Sequence, residues 1–571
     1  MCMADFRQRL VDECMSSYRS VQCGYPAIAA VASLIATTAC EIFGFPVFIL
    51  QADQPVNDRT RVNAQANLFD NSGVTSLPEA AYHGGIEISV RGNSSFAFHK
   101  KNYRIELQDF DGKDHKASLL GLPADSDWVL YASVTDRTFI RNVLGPELWR
   151  RMGRYAPRWR FVEVFMVTNQ MDLKPTEAVA SAAAQVLQTL SATNSSVANL
   201  TSTTSNSLVR SLANSYLGVY VLMEKIKRGK DRVKIKRLRP EHDKEPEISG
   251  GYIIKKDDLG RGQRGVLTGQ EFRLRYEEPK ESELTQNQRD WMRRYLDDLE
   301  KALFSPHFRD PELGYRKYLD VESFIDFHWL VEVGMNADGY WFSQYMHKDR
   351  DGKLTMGPVW DWDNAFGSTY FRLHLRSDEW RFETAKDPDY AWYRRLFEDP
   401  DFLQRYVDRW SELRTNVLAT SNVLALVDGI AAQVREAELR NTHRWPNAGG
   451  VTVTPAQSRE IFERELGILR DWLAKRLAWI DSQDFPKPSV RQRVTPGEPA
   501  TLFVNWDAGR AFYTLDGSDP RARGGSVAPS ALEYKAPIRT PAKVVLTVRV
   551  RSEHGLWSAP VRFPTDTGPM R

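Results

Sequence analysis

Gly357-Pro358-Val359-Trp360-Asp361-Trp362-Asp363-Asn364-Ala365-Phe366-Gly367 sets two carboxylates among large aromatic side chains. Twenty-three residues before Asp361, the segment Asn336-Ala337-Asp338-Gly339-Tyr340-Trp341 repeats the arrangement around Asp338. Each segment ends an apolar run at a turn. A carboxylate in apolar surroundings is costly unless a proton, a cation or hydrogen-bond donors compensate it. Phosphoryl transfer from a nucleotide uses such a pair, one carboxylate to orient the acceptor hydroxyl and one to hold Mg²⁺ on the phosphates. Either aspartate alone reads equally well as a turn or helix-cap residue beside a tryptophan. The two together point to a site.

Working outward, the first half of the chain is rich in strands. Residues 85–90 alternate apolar and polar and run into Arg91-Gly92-Asn93-Ser94-Ser95, and a second strand, 103–107, follows Lys100-Lys101. Strand, small polar loop, strand is a geometry in which backbone N–H groups reach phosphate oxygens. A helix is expected over 136–152, and strands over 161–167, 218–224 and 250–257. The stretch 51–78 reads as polar and turn-rich. Residues 174–214 are rich in Ala, Ser, Thr and Asn, lack aromatic residues and carry sequons at Asn194 and Asn199, so an inserted loop is expected over 171–215. Helices are expected over 283–303, 321–334, 400–416 and 455–482. From residue 488 to 566, short strands with turn signals predict a small all-β sandwich. The fold class expected is therefore α+β.

With 571 residues, 42% hydrophobic and 26% charged, the composition is that of a folded protein of several domains. A formal charge of only +3 argues against nucleic acid as partner, while leaving room for local basic patches. The four cysteines, Cys2, Cys14, Cys23 and Cys40, lack zinc-ribbon spacing. The same region carries Arg7, Arg9 and Arg19, then the small apolar run 27–40. A secretory signal or an N-terminal membrane anchor over 1–51 follows, with Glu41 and Pro46 weighing against the anchor. A secreted or cell-surface location is the expectation.

Several blocks fall in the order found in one family. Arg91-Gly92-Asn93-Ser94-Ser95 with Lys100-Lys101-Asn102-Tyr103-Arg104-Ile105, Arg141-Asn142, Tyr220-Val221-Leu222-Met223-Glu224, Asp338-Gly339-Tyr340-Trp341 and Pro358 to Gly367 resemble the CotH family of spore-coat-type protein kinases over residues 80–482. That resemblance implies a divergent protein-kinase-like domain, ATP with Mg²⁺ or Mn²⁺, and transfer of phosphate to Ser or Thr of a protein substrate. Asp338 would orient the acceptor, Asp361 would hold metal, and Asp363 would assist. Arg91, Asn93, Ser94, Lys101 and Arg104 would lie at the phosphates, and Val221 to Glu224 would lead into an adenine-binding hinge. Lys255 is a further cation candidate, or an ordinary strand-end lysine. Ser343 stands where kinases often have a metal-binding Asn, so it becomes a weaker metal candidate. The long insert is a second departure. Residues 513–520, Tyr534, 537–538 and 548–558 resemble the small β domain that follows chitobiase-type hexosaminidase domains, an extracellular accessory for envelope or polysaccharide contact. The sequence leaves two further readings: an inactive surface adhesin or envelope protein on the same scaffold, and a metal-dependent hydrolase using Asp361 and Asp363.

Overall fold

The computed structural model describes residues 45–70, 80–168, 213–258, 264–370, 376–448, 452–483, 487–495, 498–540 and 543–565. These divide into two compact units: residues up to 146 with 157–226 and 426–469, and residues 147–156 with 227–425 and 470 onward.

The first unit is built on a closed seven-stranded barrel. Its strands are β1 (Val47–Ala52), β2 (Val62–Phe69), β3 (Ala80–Arg91), β4 (Asn102–Gln108), β5 (Asp127–Tyr131), β6 (Trp159–Thr168) and β7 (Tyr216–Glu224), in the order β1-β2-β3-β4-β5-β7-β6. All neighbours are antiparallel except β1 and β6, whose parallel pairing (Leu50 opposite Met166) closes the ring. Closure leaves no unpaired edge. Phe48, Leu50, Leu68, Ile105, Trp128, Leu130, Val162 and Leu222 fill the interior.

Closure corrects the sequence reading in two places. Residues 47–51, placed at the end of the leader 1–51, belong to β1, a fully buried core strand; residues 1–44 of that leader lie outside the described residues. The stretch 51–78 holds β2, whose Val62, Ala64 and Ala66 are buried. Alanine and asparagine are poor strand formers, so the alternation carried little signal and tertiary pairing decides it. Between β5 and β6, helix α1 (Arg141–Arg151) starts five residues later than expected. Residues 136–140 form a turn instead, where the Asp136 carboxylate accepts from Thr138 N, Thr138 Oγ1 and Arg141 N at 3.0, 2.7 and 2.8 Å. The 171–215 insert falls outside the described residues except for its last three positions, and both sequons lie outside them.

The second unit begins with a five-stranded sheet, β12-β11-β8-β10-β9, of β8 (Tyr252–Lys256), β9 (Val266–Leu267), β10 (Arg273–Glu278), β11 (Gln344–Lys348) and β12 (Thr355–Met356). Helix α2 (Gln286–Phe304) opens on a Thr285–Gln288 capping box. Helix α3 (Val321–Gly334), capped by Asp320, is buried almost all round. Helices α4 (Ala391–Phe397) and α5 (Pro400–Arg414) follow; α6 (Thr420–Val434) then leads into the first unit, which takes α7 (Ala437–Arg444) and the start of α8 (Pro455–Asp481), whose end returns to the second unit and whose bounds are those expected to within a residue. Among the described residues no helix is long and apolar enough to cross a membrane.

Residues 489–564 form two antiparallel sheets, one of three and one of four strands. They share one core of Leu502, Val504 and Ile538 from the first, and Ala511, Leu546, Val548 and Val550 from the second. This module is fixed to α5 by polar contacts: Arg549, 2% exposed, binds Asp408 and Asp519, and Arg521 binds Asp401 at 2.7 Å. Trp557 is buried and donates to Gly525 O, so its ring packs inside the module rather than facing solvent. The α+β expectation holds, with a barrel that the strand pattern alone did not specify.

Because β1 closes the ring, Leu50→Ala should lower stability by about 2–5 kcal/mol, the usual effect of a buried Leu→Ala cavity. Urea unfolding followed by tryptophan fluorescence measures it. An unchanged midpoint would show that β1 is not part of the cooperative core.

Candidate active site

Helix α3 ends against the aspartate segments. A Cβ on Gly334 would lie 2.8 Å from the Trp362 ring. Met335 takes a left-handed conformation (φ 47) and donates to Glu332 O, which turns the chain out of the helix. Asn336 then organises both loops. Its Oδ1 accepts from Asp338 N at 3.1 Å, and its Nδ2 reaches Asp361 O at 3.4 Å. The return contact comes from Asn364, whose Nδ2 donates to Asp338 Oδ2 at 3.2 Å, while Ala337 N donates to Asn364 O. Phe366 N donates to Gly334 O at 2.6 Å. Ser343 Oγ donates to Asp361 Oδ2 at 3.3 Å. Asp338, Ser343, Asp361, Asp363 and Asn364 are all half-buried.

Two site residues are backbone outliers: Ser343 has φ 56 and Asp361 φ 67. Non-glycine residues in the left-handed region are uncommon and cluster where the surroundings impose a side-chain direction.

Beneath these loops lies a buried ionic cluster. Glu332, 0% exposed, accepts from Tyr340 OH at 2.7 Å, Arg381 N at 2.7 Å and Phe382 N at 3.0 Å. Arg381, 1% exposed, donates Nε to Asn336 O at 3.0 Å and Nη2 to Ala337 O at 2.5 Å, and lies over the Trp341 ring. Arg476, fully buried, donates Nε to Glu332 O at 2.9 Å and pairs with the Glu332 carboxylate at 3.5 Å. Burial raises the Glu332 pKa, while Arg476 and the three donors oppose the rise. Desolvation likewise lowers Arg476 to about 10. We take the pair as charged, because each group has a partner of opposite sign and satisfied hydrogen bonds. Lys256 completes the frame by donating to Tyr340 O at 2.8 Å and pairing with Asp389 at 2.6 Å.

Among the described residues no group of three or more His, Cys, Asp or Glu side chains converges as a metal cage. A zinc centre would use such a cage. Mg²⁺ on nucleotide phosphates takes one or two carboxylates and fills its remaining positions with phosphate and water. Asp361, with the Ser343 hydroxyl in contact with its carboxylate, fits that smaller requirement, and Asp363 stands two residues on.

The candidates on the barrel unit occupy the β3–β4 turn and its flanks. Asn93 and Ser94 are exposed at the tip, and Arg91 ends β3. Gly92 (φ 116) allows a tight approach, since a Cβ there would lie 2.1 Å from Ser95 Oγ. Asn102 Nδ2 donates to Ser95 Oγ at 3.1 Å, and its Oδ1 accepts from Ala132 N at 2.7 Å, which makes Asn102 the brace of this turn. Lys101 Nζ donates to Phe96 O at 2.6 Å, and Arg104 pairs with Glu106 at 2.5 Å. Glu224 is fully buried, accepting from Arg158 N and Nη2 at 2.9 and 2.6 Å, while its own N–H goes to Arg158 O. Arg141 is likewise closed in a buried pair with Asp136 at 2.6 Å. Lys255, on the second unit, pairs with Asp257 at 2.5 Å. Lys100 is the buried lysine of the Lys100-Lys101 pair, donating to Ala132 O and Val219 O, and to Asn441 Oδ1 at 2.9 Å.

So the structure brings Asp338, Asp361 and Ser343 together in one laced cluster. Asn336, Asn364, Glu332 and Arg381 were not singled out from the sequence. Both asparagines stood inside the quoted motifs, and Glu332 was visible as a charged residue in the otherwise apolar α3; Arg381 offered no local signal.

The two acidic loops are thus laced to one another by the side-chain amides of Asn336 and Asn364 and clamped from below by Arg381. The sequence pattern of the CotH kinase protein family matches residues 88–480, and the chain belongs to that family. No curated protein matches it.

Arg381→Gln should loosen residues 336–342 while leaving the β-sandwich module unaffected. Hydrogen–deuterium exchange should show about a tenfold or greater gain in amide exchange there, the effect of removing about 1.4 kcal/mol or more of local protection; unchanged exchange would dismiss the clamp. A pH effect follows from His328, buried between Tyr390 OH and Tyr406 OH, whose pKa burial holds well below 6.5. The unfolded chain binds a proton near 6.5 that the native state refuses, so stability is complete above that value and falls as pH drops below it. The slope approaches about 1.4 kcal/mol per pH unit for each such histidine. Urea midpoints between pH 7.5 and 5 read it, and a flat profile would mean that His328 titrates normally.

Proposed function

We propose that this protein is an atypical protein kinase that transfers the γ-phosphate of ATP to Ser or Thr hydroxyls of a protein substrate. The observation that carries the reading is the cross-bracing of Asp338 and Asp361 through Asn336 and Asn364. Two carboxylates fixed against one another, on loops clamped from below, suit a reaction whose catalysis is mostly positioning and charge stabilisation. In this reading Asp338 orients the acceptor hydroxyl and takes its proton, with Asn364 holding Oδ2 so that the other oxygen faces the acceptor. Asp361 and Ser343, helped by Asp363, hold Mg²⁺ or Mn²⁺, which when bound neutralises charge on the phosphates. Asn93 and Ser94 at the exposed turn, with Arg91, serve phosphate; Lys101 on Phe96 O braces that turn, while Arg104 is tied to Glu106 and Glu224 to Arg158 within the barrel. Family membership supports nucleotide use. The apolar run 27–40 and the C-terminal β module support a secreted or surface location, with the module reaching envelope or polysaccharide; its likeness to the chitobiase-type domain belongs to the same proposal.

A second reading, an inactive envelope protein on this scaffold, is favoured by one observation: Ser343 replaces the amide side chain that kinases use at this position. The deciding experiment is transfer of labelled γ-phosphate from ATP with Mg²⁺ or Mn²⁺, self-labelling included, using the chain with β1 intact. Asp361→Ala and Asp338→Ala should each lower incorporation by about 10²-fold or more, with thermal midpoints unchanged. Absence of incorporation by the unsubstituted chain, together with no metal-dependent nucleotide shift of its melting temperature, would move the conclusion to the second reading.

A further inference from the structure

Residues 227–239, Lys-Arg-Gly-Lys-Asp-Arg-Val-Lys-Ile-Lys-Arg-Leu-Arg, hold eight basic residues in thirteen, against 77 in 571 for the whole chain. The segment is firmly seated. Val233, Ile235 and Leu238 are buried, Lys236 N donates to Asp349 Oδ1 at 2.7 Å, and Arg350 Nη2 donates to Arg237 O at 3.0 Å. Gly251 backs directly onto it, so that a Cβ there would lie 2.7 Å from Lys236 O and 2.8 Å from Leu238 N.

Part of the charge is used internally. Arg228 faces Glu278 at 3.6 Å, Arg232 is buried, Lys230 lies 4.0 Å from Asp231, and Arg239 lies 3.6 Å from Glu241. Lys234, Lys236 and Arg237 are exposed, and among the described residues none of the three pairs with a carboxylate. Three unpaired cations on a rigid backbone are a surface arranged for an anionic partner, because no ordering is needed on binding.

The layout selects the kind of partner. Lys234 and Lys236 flank the buried Ile235, so exposed cations bracket a buried apolar residue, and Ile235 N donates to Val233 O at 3.0 Å in a tight turn about Lys234. The three cations follow one another along the chain as a file, and the chain's overall charge of +3 lacks the broad field that duplex nucleic acid calls for. The file adjoins β8 at Tyr252, opposite Lys348 of β11; the other end of the same pair is Lys256 opposite Gln344, next to Ser343. Four strand residues put the file about 13 Å along the sheet from the Ser343 end.

We propose that Lys234, Lys236 and Arg237 form a docking strip for an extended, carboxylate-rich segment of the protein substrate, on the same unit as Asp338 and Asp361. This rests on the kinase reading for the word substrate; the strip itself does not. The test is fluorescence anisotropy with a labelled twelve-residue peptide of alternating Glu and Gly, using the full chain. The triple substitution Lys234→Glu/Lys236→Glu/Arg237→Glu should weaken binding about tenfold or more, the combined effect of three exposed ion pairs of ordinary strength, with an unchanged thermal midpoint. The charge-matched control Arg294→Glu/Lys301→Glu/Lys535→Glu should leave binding within about twofold, because it changes the net charge equally and leaves the strip intact. Equal weakening by both triples, or no binding by the unsubstituted chain, overturns the proposal. So does tighter strip-dependent binding of a 20-base-pair duplex or of vesicles with 30% phosphatidylserine, which would make the partner nucleic acid or membrane. In the transfer assay, an acidic tail on a serine peptide should lower KM for the unsubstituted chain only, with kcat unchanged. Peptide binding without any transfer would sink the kinase reading and leave an acidic-peptide surface.

Discussion

The second unit is organised by one buried negative charge. Glu332 sits in the last turn of α3 with no access to solvent, and its carboxylate is answered from four directions by Tyr340, the Arg381 and Phe382 amides and Arg476. The energetics are asymmetric. An assembled cluster of this type adds little net stability over an apolar core, but removing one member strands the rest and costs about 3–5 kcal/mol. What the cluster supplies is therefore registry. The end of α3, the Asp338 turn, residues 377–382 and α8 can meet in one arrangement only, since any slip leaves a charge unpaired. Asn336, the residue that ties the Asp338 loop to the Asp361 loop, has its own carbonyl held by Arg381.

The two halves of the family's signature have different physical supports. The barrel secures its turn through a continuous ring of backbone hydrogen bonds and an apolar interior. The acidic loops are irregular backbone, which satisfies its polar groups through side chains: asparagine amides, guanidinium groups and a lysine on a carbonyl. Irregular segments can be this well fixed only where such donors replace a ladder. Met335, Ser343, Asp361 and Phe366 of this region take left-handed conformations, as Glu271 and Asp351 do elsewhere in the second unit.

How much was legible in the sequence follows from these supports. Helix α3 was bounded correctly from Val321 to Gly334, because an aspartate cap and a closing glycine bracket an apolar run. Asp338 and Asp361 stood out because carboxylates among tryptophans violate local pattern. The barrel was not legible: Ala64 and Ala66 look like loop residues until β1 and β3 flank them, and the apolar Val47–Leu50 read as the end of a leader until its pairing with β6 was seen. Arg381 was hidden for a further reason. Its role depends on the carbonyls of Asn336 and Ala337, some forty-five residues away, and backbone acceptors leave no mark in a sequence.

The barrel's polar fastenings to α7 carry a consequence for biosynthesis. Asn441 accepts from Val219 N across 222 residues, and Arg440 meets the buried Glu163 across 277. A ribosome that has just finished the seventh strand is therefore still more than 200 residues short of the groups that satisfy Val219, Lys100 and Glu163. At about 5–20 residues per second, that gap lasts on the order of ten seconds or more. During that interval the first unit carries unanswered buried charge while residues 227–425 of the second unit are made, so the barrel can be completed only after a long part of the other unit has been synthesised.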